Sequence, residues 1–296
     1  MPAVNLETTS QSQNLAQLDQ DELNRRIRRY FDRYACIYDS YHWYFHNAYL
    51  QRRWWSEIRE IRRRVGGACP SVLDLGCGTG NLAIKFLNCS FDVTGVDISH
   101  SMLQILDRKA GRIPYGTLRL VVSDLRKFVE TTPKTFDVIS ECSVLHHLVD
   151  YESMARAMLR KIRPGGVLYL SRVPLAPEDI QTLDPVRSAV STVLERLYRS
   201  IFVRMSEARF FTYIVTPPDQ SDISAQFYEH GVSLARIRKV ALEEGFREVG
   251  FRRYKERETG FLTYLDNELF RAFRRERFRE TFYSVIFQRE PSGPQV

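Results

Sequence analysis

The feature that most restricts how this chain can fold is a glycine-rich turn directly after an apolar run, VLDLGCGTGNLA at residues 72–83. Gly76, Gly78 and Gly80 occupy alternate positions. Glycine has no Cβ, so it permits positive φ and close approach of a ligand to the main chain. A strand of a parallel sheet delivers such a turn to the carboxyl edge, where open α/β proteins bind ligands. We therefore expect a strand, a ligand-binding turn, and a helix that begins near Thr79 or Gly80 with its free N–H groups facing the ligand.

The spacing of the glycines argues against two common nucleotide-binding motifs. The dinucleotide pattern G-x-G-x-x-G places its third glycine three positions after the second, where this chain has Asn81. A Walker loop requires a Gly-Lys pair, which does not follow here. The pattern that fits is D-x-G-x-G-x-G, beginning at Asp74.

Short β-branched runs alternate with helical patterns on both sides of this turn. Such alternation predicts βαβ units and a parallel sheet covered by helices on both faces. We predict strands at 71–75, 91–97, 118–123, 136–141, 165–173, 246–254 and 282–290, and helices at 79–87, 100–110, 151–163 and 233–245. A short polar segment is expected after the third strand, and a largely helical, aromatic segment precedes the first.

Five segments, taken in order, resemble the motifs of class I S-adenosylmethionine-dependent methyltransferases. They are VLDLGCGTGNLA (72–83), GVDIS (95–99), VVSDL (121–125), FDVISECSVLHHL (136–148) and LRKIRPGGVLYLS (159–171). The resemblance implies a Rossmann-like, seven-stranded, mostly parallel α/β sheet whose last strand is antiparallel. It also implies S-adenosylmethionine as cofactor.

Under this resemblance each motif residue has a task toward the cofactor. Gly76 and Gly78, with Gly80, would leave room for the methionine part. Asp74 would meet the ammonium group, or would be a buried structural acid bonded to the loop amides. Asp97 would accept from the ribose hydroxyls. The other expected cofactor contacts are Ile98 and Met102 around the adenine, Ser123, Asp124 and Leu125 at its edge, and Glu141 and Cys142 where the sulfonium and the acceptor meet.

A second resemblance lies in the N-terminal segment. Its F-D-x-x-A-x-x-Y-D pattern is similar to the opening of the ubiquinone/menaquinone-biosynthesis C-methyltransferases; the matching residues are Phe31, Asp32, Ala35, Tyr38 and Asp39. This implies a helical lid over the cofactor, with Tyr38 near the methionine part and Tyr34 as the second candidate. The alternative is a helix packed onto the sheet by its aromatic residues.

Two histidines after the fourth strand, His146 and His147, are the candidates for removing a proton from the acceptor, because histidine titrates near neutral pH. One ring could instead pack or bond the main chain. An electrophilic methyl group needs chiefly an oriented acceptor, and orientation can supply ~7–11 kcal/mol of the barrier reduction. Neither paired carboxylates nor a histidine cluster suggests a metal site, so we predict metal independence.

The region after residue 174 departs from the compact pattern of the quinone enzymes. Residues 175–230 are too long for an ordinary crossover and are interpreted as an inserted cap over the acceptor. The aromatic residues of this insertion fit a sizeable, partly apolar acceptor, a satellite of the core or a homodimer interface. A further helical insertion is expected at 257–279.

The charge and the motifs of the chain limit the classes of partner that it is expected to bind. The formal net charge is +7, and arginine clusters at 24–30, 62–64, 252–257 and 271–280 fit solvated helix faces or an anionic partner. The last cluster also carries acids, and the Asn/Asp-Pro-Pro-aromatic signature of adenine N6-methylation is absent after the fourth strand. We therefore do not expect nucleic acid as a partner.

Several features predict a cytoplasmic protein. The five cysteines are scattered without a C-x-x-C pair, as is typical of reduced thiols. Residues 1–20 lack the basic start and apolar core of a secretory signal and are expected to form a flexible tail. No apolar run reaches the ~20 residues of a membrane helix.

Together these observations predict a tail (1–20), an N-terminal helical lid (21–66), a cofactor-binding core (67–174), an inserted cap (175–230) and the rest of the core (231–290). The expected activity is methyl transfer to an O, N or C atom of a small, partly apolar acceptor by in-line displacement. The alternatives are a methyltransferase acting on RNA or protein, a non-catalytic cofactor-binding scaffold and, disfavoured by the glycine spacing, a nicotinamide oxidoreductase.

Overall fold

The computed structural model describes residues 20–179, 231–254 and 282–291. Seven strands form one sheet in the order β3-β2-β1-β4-β5-β7-β6. Their bounds are β1 Ser71–Leu75, β2 Asp92–Asp97, β3 Leu118–Val122, β4 Phe136–Cys142, β5 Ile162–Pro174, β6 Phe246–Tyr254 and β7 Phe282–Arg289. Strands β1 to β5 pair in parallel, whereas β7 lies antiparallel between β5 and β6. The predicted seven-stranded, mostly parallel sheet is confirmed.

Helices cover both faces of the sheet, as predicted. They are α1 Gln20–Tyr34, α2 Tyr38–Tyr41, α3 Ala48–Val65, α4 Ala83–Asn88, α5 His100–Ala110, α6 Leu125–Thr131, α7 Tyr151–Arg160 and α8 Leu234–Glu243. Short 3₁₀ turns lie at Ala35–Ile37, Trp43–Phe45, Leu145–His147 and Pro177–Asp179.

The alternation of side chains along each strand divides the core into two layers. Leu73 and Ile139 face a cluster that contains residues of α6, α7 and α8. Their neighbours Val72 and Val138 face the opposite cluster, which contains residues of α3, α4 and α5. Both faces of the central strands are therefore apolar, which explains the nearly continuous apolar runs of the sequence.

The helix that follows the glycine turn begins later than predicted. It starts at Ala83 rather than near Thr79 or Gly80, because Gly80 has a φ of +96° and cannot occupy the first turn of a right-handed helix. The intervening residues form turns, including a bond from the Gly80 amide to the Cys77 carbonyl of 2.9 Å.

Two other expectations about the elements were wrong. The segment after β3, expected to be a short polar stretch, is helix α6, whose first amides are capped by Asp124 and whose Leu125 and Val129 are buried. Strand β5 begins at Ile162, earlier than predicted, because Ile162 already pairs with Phe136. The register then shifts, so that the next pair is Val138 with Val167 and the Pro-Gly-Gly turn lies inside the strand.

The N-terminal region forms two different kinds of element. Helix α3 packs on the sheet, with Leu50, Trp54, Ile58 and Ile61 buried in one core cluster. Helix α1 begins at Gln20, the last residue of the expected tail, and buries Leu23 and Ile27.

The rest of the expected tail (1–19), the insertion beyond residue 179 and the helical insertion at 257–279 lie outside the described residues. Within the described ranges, no helix has both the length and the apolar character needed to cross a bilayer.

Candidate active site

An open cavity lies at the carboxyl edge of the sheet, beside the ends of β1, β2 and β4. Its lining includes these predicted site residues: Tyr38, Gly76, Gly78, Asp97, Ile98, Met102, Asp124, Leu125, Cys142 and His147. The other lining residues are Asn24, Ile27, Phe31, Ser143, Val144 and Leu148. The parallel topology thus brings motifs that are distant in sequence to one edge.

The glycine turn is fixed by the end of the neighbouring strand β2. The amides of Gly76 and Cys77 donate to the Val96 carbonyl at 2.8 and 3.2 Å, and the Gly78 amide donates to Asp97 Oδ2 at 2.8 Å. These amides therefore hold the turn in place. The predicted role for free helix N–H groups is not supported, because α4 begins beyond the part of the turn that lines the cavity.

Each of the three glycines is required for a different reason. A Cβ on Gly76 would lie 2.4 Å from Val144 Cγ2. A Cβ on Gly80 would lie 2.4 Å from Leu106 Cδ1 of α5, so Gly80 serves packing and does not line the cavity. A Cβ on Gly78 would meet no protein atom within 4 Å and would project into open space beside the cavity. Gly78 therefore provides the open surface on which a ligand can lie.

Asp97 ends β2 with its carboxylate at the cavity wall. Its Oδ1 accepts from the Ser99 amide at 2.8 Å, while Oδ2 accepts from Gly78. Burial raises the pKa of Asp97 to about 6, although the two amides partly offset this shift by stabilising the charged form. At neutral pH the carboxylate is mainly ionised and can accept from ligand hydroxyl groups with its remaining lone pairs.

Two predicted acids lie behind the cavity wall and are not among its lining residues. Asp74 Oδ1 accepts from Ser140 Oγ at 2.7 Å, and Glu141 Oε2 accepts from the Val144 amide at 2.8 Å. Burial raises the pKa of Asp74 to about 7 and that of Glu141 to about 8. Asp74 Oδ2 and Glu141 Oε1 are buried without a hydrogen-bond partner, so both acids retain capacity for a donor.

The lining combines apolar side chains with a carboxylate. Ile98, Met102 and Leu125 are apolar lining residues, and Asp124 caps α6 by accepting from the Lys127 amide at 2.8 Å. Ser123 is not a lining residue, because its hydroxyl turns to the Asp124 carbonyl at 2.9 Å.

Another part of the wall is more aromatic. It contains Phe31, Tyr38 and His147, together with Cys142 and Leu148. Burial lowers the pKa of His147 to about 4, so the imidazole is neutral at pH 7 and has a lone pair. His146 is buried and does not line the cavity; its ring centroid lies 4.0 Å from that of His147.

The N-terminal segment is fastened to the rim by carboxylates. Asp32 Oδ1 accepts from Ser99 Oγ at 2.7 Å, which connects α1 to the cap of α5. Asp39 Oδ1 accepts from Thr79 Oγ1 at 2.5 Å and its other oxygen pairs with Lys109. The segment that carries Phe31 and Tyr38 is thereby held against the glycine turn and α5.

The predicted site did not include six of the lining residues. Asn24, Ile27 and Phe31 are spaced by three and four residues on α1, so helical periodicity could have shown that they share a face. Phe31 belongs to the N-terminal motif, but the motif predicted a place near the cofactor only for the tyrosines. Ser143, Val144 and Leu148 carried no such signal, since their place depends on the turn after β4.

The arrangement has the chemistry of a nucleoside site with an adjoining apolar pocket. Asp97 and Asp124 offer acceptors for hydroxyl and amino groups, and Gly78 offers an open main-chain surface. In the part of the chain that the structure describes, no three histidine, cysteine or acidic side chains come close enough to hold a metal ion.

Comparison with solved structures identifies the fold. The chain is similar to the magnesium protoporphyrin IX methyltransferase of Synechocystis with bound SAM, with a TM-score of 0.56 and 16% identity over 93% of this chain and 99% of that one. It is also similar to the N-methyltransferase NodS of Bradyrhizobium japonicum in complex with S-adenosyl-l-homocysteine, with a TM-score of 0.53 and 14% identity over 88% and 97% of the two chains.

Residues 72–166 match the family model described as a methyltransferase domain. This stretch of the chain is therefore similar to a methyltransferase domain, and the chain has the fold of solved S-adenosylmethionine-dependent methyltransferases, as its motifs predicted.

Over part of its length the chain is similar to two kinds of curated enzyme. It is 31% identical to the demethylmenaquinone methyltransferase of Leptospira interrogans over 147 residues, 48% of this chain and 57% of that protein. It is 28% identical to the ubiquinone biosynthesis O-methyltransferase of Pseudomonas savastanoi over 145 residues, 44% of this chain and 61% of that protein. The match thus spans only about three fifths of the length of these relatives.

Proposed function

We propose that the protein is an S-adenosylmethionine-dependent methyltransferase that transfers the methyl group to an O, N or C atom of a small, partly apolar acceptor by in-line displacement. The observation that carries the proposal is the single cavity in which Gly78, Asp97 and Asp124 meet an apolar and aromatic wall. The methyltransferase domain match and the relatives described above support the same activity.

The lining residues fit the cofactor. Asp97 would accept hydrogen bonds from the ribose hydroxyls. The adenine would lie between Ile98 and Met102, and Asp124 would accept a hydrogen bond from its amino group. Gly76 and Gly78 would border the methionine part. Asp74 Oδ2, which is buried without a partner behind this border, would accept from the ammonium group, directly or through water.

The bound cofactor supplies an electrophilic methyl group, so this chain's residues need to orient an acceptor and exclude water. The apolar residues Ile27, Val144 and Leu148 would hold the acceptor and keep water out. His147 would take the acceptor proton through its neutral imidazole, and His146 would support the orientation of that ring. Tyr38 would border the reacting region from the N-terminal segment, which acts as a lid.

Calorimetry tests the binding part of the proposal. The protein should bind S-adenosylmethionine and S-adenosylhomocysteine but not NAD. Asp97→Asn should weaken binding of S-adenosylhomocysteine at least tenfold. The substitution replaces a charged carboxylate by a neutral amide, and hydrogen bonds to charged groups are stronger than those to neutral groups. Lack of affinity for both nucleosides in the unaltered protein would refute the proposal.

The acceptor requires a separate measurement. Incubating the protein with S-adenosylmethionine labelled in the methyl group and a cell extract should transfer label to an extractable small molecule. Label recovered in RNA or protein instead would favour a macromolecular acceptor. A cytoplasmic location and a homodimer remain predictions, for cell fractionation and sedimentation to check.

A further inference from the structure

Asn24, on helix α1, connects the N-terminal segment to Asp124 in the cavity wall. Both Asn24 and Asp124 line the cavity. Asn24 Nδ2 donates to Asp124 Oδ2 at 2.7 Å, across 100 positions of sequence. Helix α1 thus contacts the carboxylate of Asp124, which lies between β3 and α6.

The hydrogen bonds around Asn24 determine which way its amide points. Asn24 Oδ1 accepts from Gln20 Nε2 at 3.1 Å, one turn earlier in α1. Gln20 Oε1 in turn accepts from the Val149 amide at 3.3 Å, beyond β4. With the carbonyl side engaged by Gln20, the amino side of Asn24 faces Asp124.

Asp124 is therefore held from two directions. Its Oδ1 accepts from the Lys127 amide as the cap of α6, and its Oδ2 accepts from Asn24. A carboxylate that is fixed at both oxygens presents its remaining lone pairs in fixed directions. Free rotation would allow the same carboxylate to turn away from an unsuitable ligand group.

We propose that Asn24 is a positioning residue that fixes the Asp124 carboxylate for selecting a purine with a 6-amino group. The inference rests on the proposed function, in which Asp124 faces the adenine edge. A fixed acceptor pairs with a 6-amino donor and opposes a 6-oxo acceptor, and sites built to hydrogen-bond one group discriminate strongly against an analogue that lacks it. Closure of α1 over the cavity is then part of base selection.

The experiment compares two ligands that differ at one position of the base. Calorimetry measures the affinity of the full-length protein for S-adenosylhomocysteine and S-inosylhomocysteine. The unaltered protein should prefer the adenosyl ligand. Asn24→Ala should lower the affinity for the adenosyl ligand about tenfold and that for the inosyl ligand less than threefold. The preference for the adenosyl ligand should therefore fall several-fold.

A matched control lies at the next position of the same helix. Arg25 is exposed and pairs with Glu22 at 2.9 Å. Arg25→Ala should leave the affinity for both ligands unchanged. Equal losses for the two ligands in Asn24→Ala, or no loss for either, would overturn the inference, since a merely structural role for Asn24 predicts no change in preference.

A second variant keeps the test decisive if Asn24→Ala is poorly folded. Asn24→Asp places a second carboxyl group beside Asp124, and one of the two must take up a proton to restore the hydrogen bond. Its preference for the adenosyl ligand should therefore be low at pH 8 and should recover toward pH 5.5, relative to the unaltered protein. A preference that does not change with pH would overturn the inference. Failure of the unaltered protein to bind either ligand would instead reject the proposed function.

Discussion

At the scale of single residues, the proposed role of His147 as the base that removes a proton from the acceptor can be tested by substitution. Burial lowers its pKa to about 4, so protonation of this ring does not limit turnover above about pH 5. His147→Gln should lower kcat by no more than about 10²-fold, the lower end of the ~10²–10⁴-fold range of a positioned base, because a ring with so low a pKa is a weak base; the affinity for S-adenosylhomocysteine should change little. Steady-state kinetics on the acceptor, once identified, would check this. An unchanged kcat would assign His147 to packing.

Glu141 gives a prediction about stability and pH. Its pKa is about 8 in the folded protein because of burial, above the ordinary value of 4.5. The folded state therefore holds this proton more tightly than the unfolded chain, and stability is lost as pH rises toward 8. Relative to Glu141→Gln, the unaltered protein should lose roughly 3 kcal/mol of unfolding free energy between pH 5.5 and pH 8.

Urea unfolding of both proteins at the two pH values measures this difference. The comparison with Glu141→Gln cancels the contribution of titrating groups that do not interact with Glu141, so the difference contains Glu141 and its electrostatic interaction with Asp74. A difference between the two proteins that stays constant with pH would show that Glu141 ionises normally in the folded state.

At the scale of elements, the N-terminal segment is held to the glycine turn by the contacts of Asp39. Thr79→Val keeps the size of the side chain but removes the hydroxyl that donates to Asp39. Losing one hydrogen bond to a charged group should weaken the attachment by about 1–3 kcal/mol. Amide hydrogen exchange should become faster in residues 35–47 and should not change in β1.

A control for this prediction is Thr131→Val, which removes a similar hydroxyl bond inside α6, from Thr131 Oγ1 to the Lys127 carbonyl. It should leave exchange in residues 35–47 unaltered. Equal exchange in Thr79→Val and the unaltered protein would mean that the other contacts, including the Lys109 pair, hold the segment without this hydroxyl.

The helices and strands also show which local sequence patterns were sufficient to predict the bounds of an element. Strand β6 and helix α5 have the bounds that the sequence predicted, because an alternating or helical apolar pattern coincides with a clear end, such as Gly245 or the Ser99 cap. Helix α6 was missed because its seven residues are too few for a helical period to be recognised. Its stability comes from the Asp124 cap and from two side chains that the sheet buries.

At the scale of the whole molecule, the N-terminal region is not one removable lid. Ile58 of α3 is completely buried within a core cluster, whereas Ile27 of α1 borders the cavity. Ile58→Ala should cost about 2–5 kcal/mol of unfolding free energy, as expected when a closed space is created in a core. Ile27→Ala should cost less than half as much, because part of this buried side chain borders the cavity and not other side chains.

Urea unfolding in the absence of nucleoside checks this comparison. The affinity for S-adenosylhomocysteine should show the opposite order: Ile27→Ala should weaken binding more than Ile58→Ala, since Ile27 lines the cavity and Ile58 does not. Similar unfolding costs would mean that α1 and α3 belong to one layer of the core.

The sequence by itself determined the sheet, the position of the glycine turn and most of the cavity wall that follows the strands. These depend on local patterns: apolar runs, glycines at fixed intervals and acids at strand ends. Gly78 and Asp97 could be placed at one edge because parallel strands deliver their ends to the same side.

Only the tertiary structure decided which of these residues face the cavity and which lie behind it. Asp74 and Glu141 are motif residues, yet each is turned into the protein and bonded there by Ser140 or Val144. Asn24 entered the site because α1 folds back over the sheet and meets Asp124. Side-chain direction and long-range packing depend on every neighbour in space, and a pattern within one segment does not contain that information.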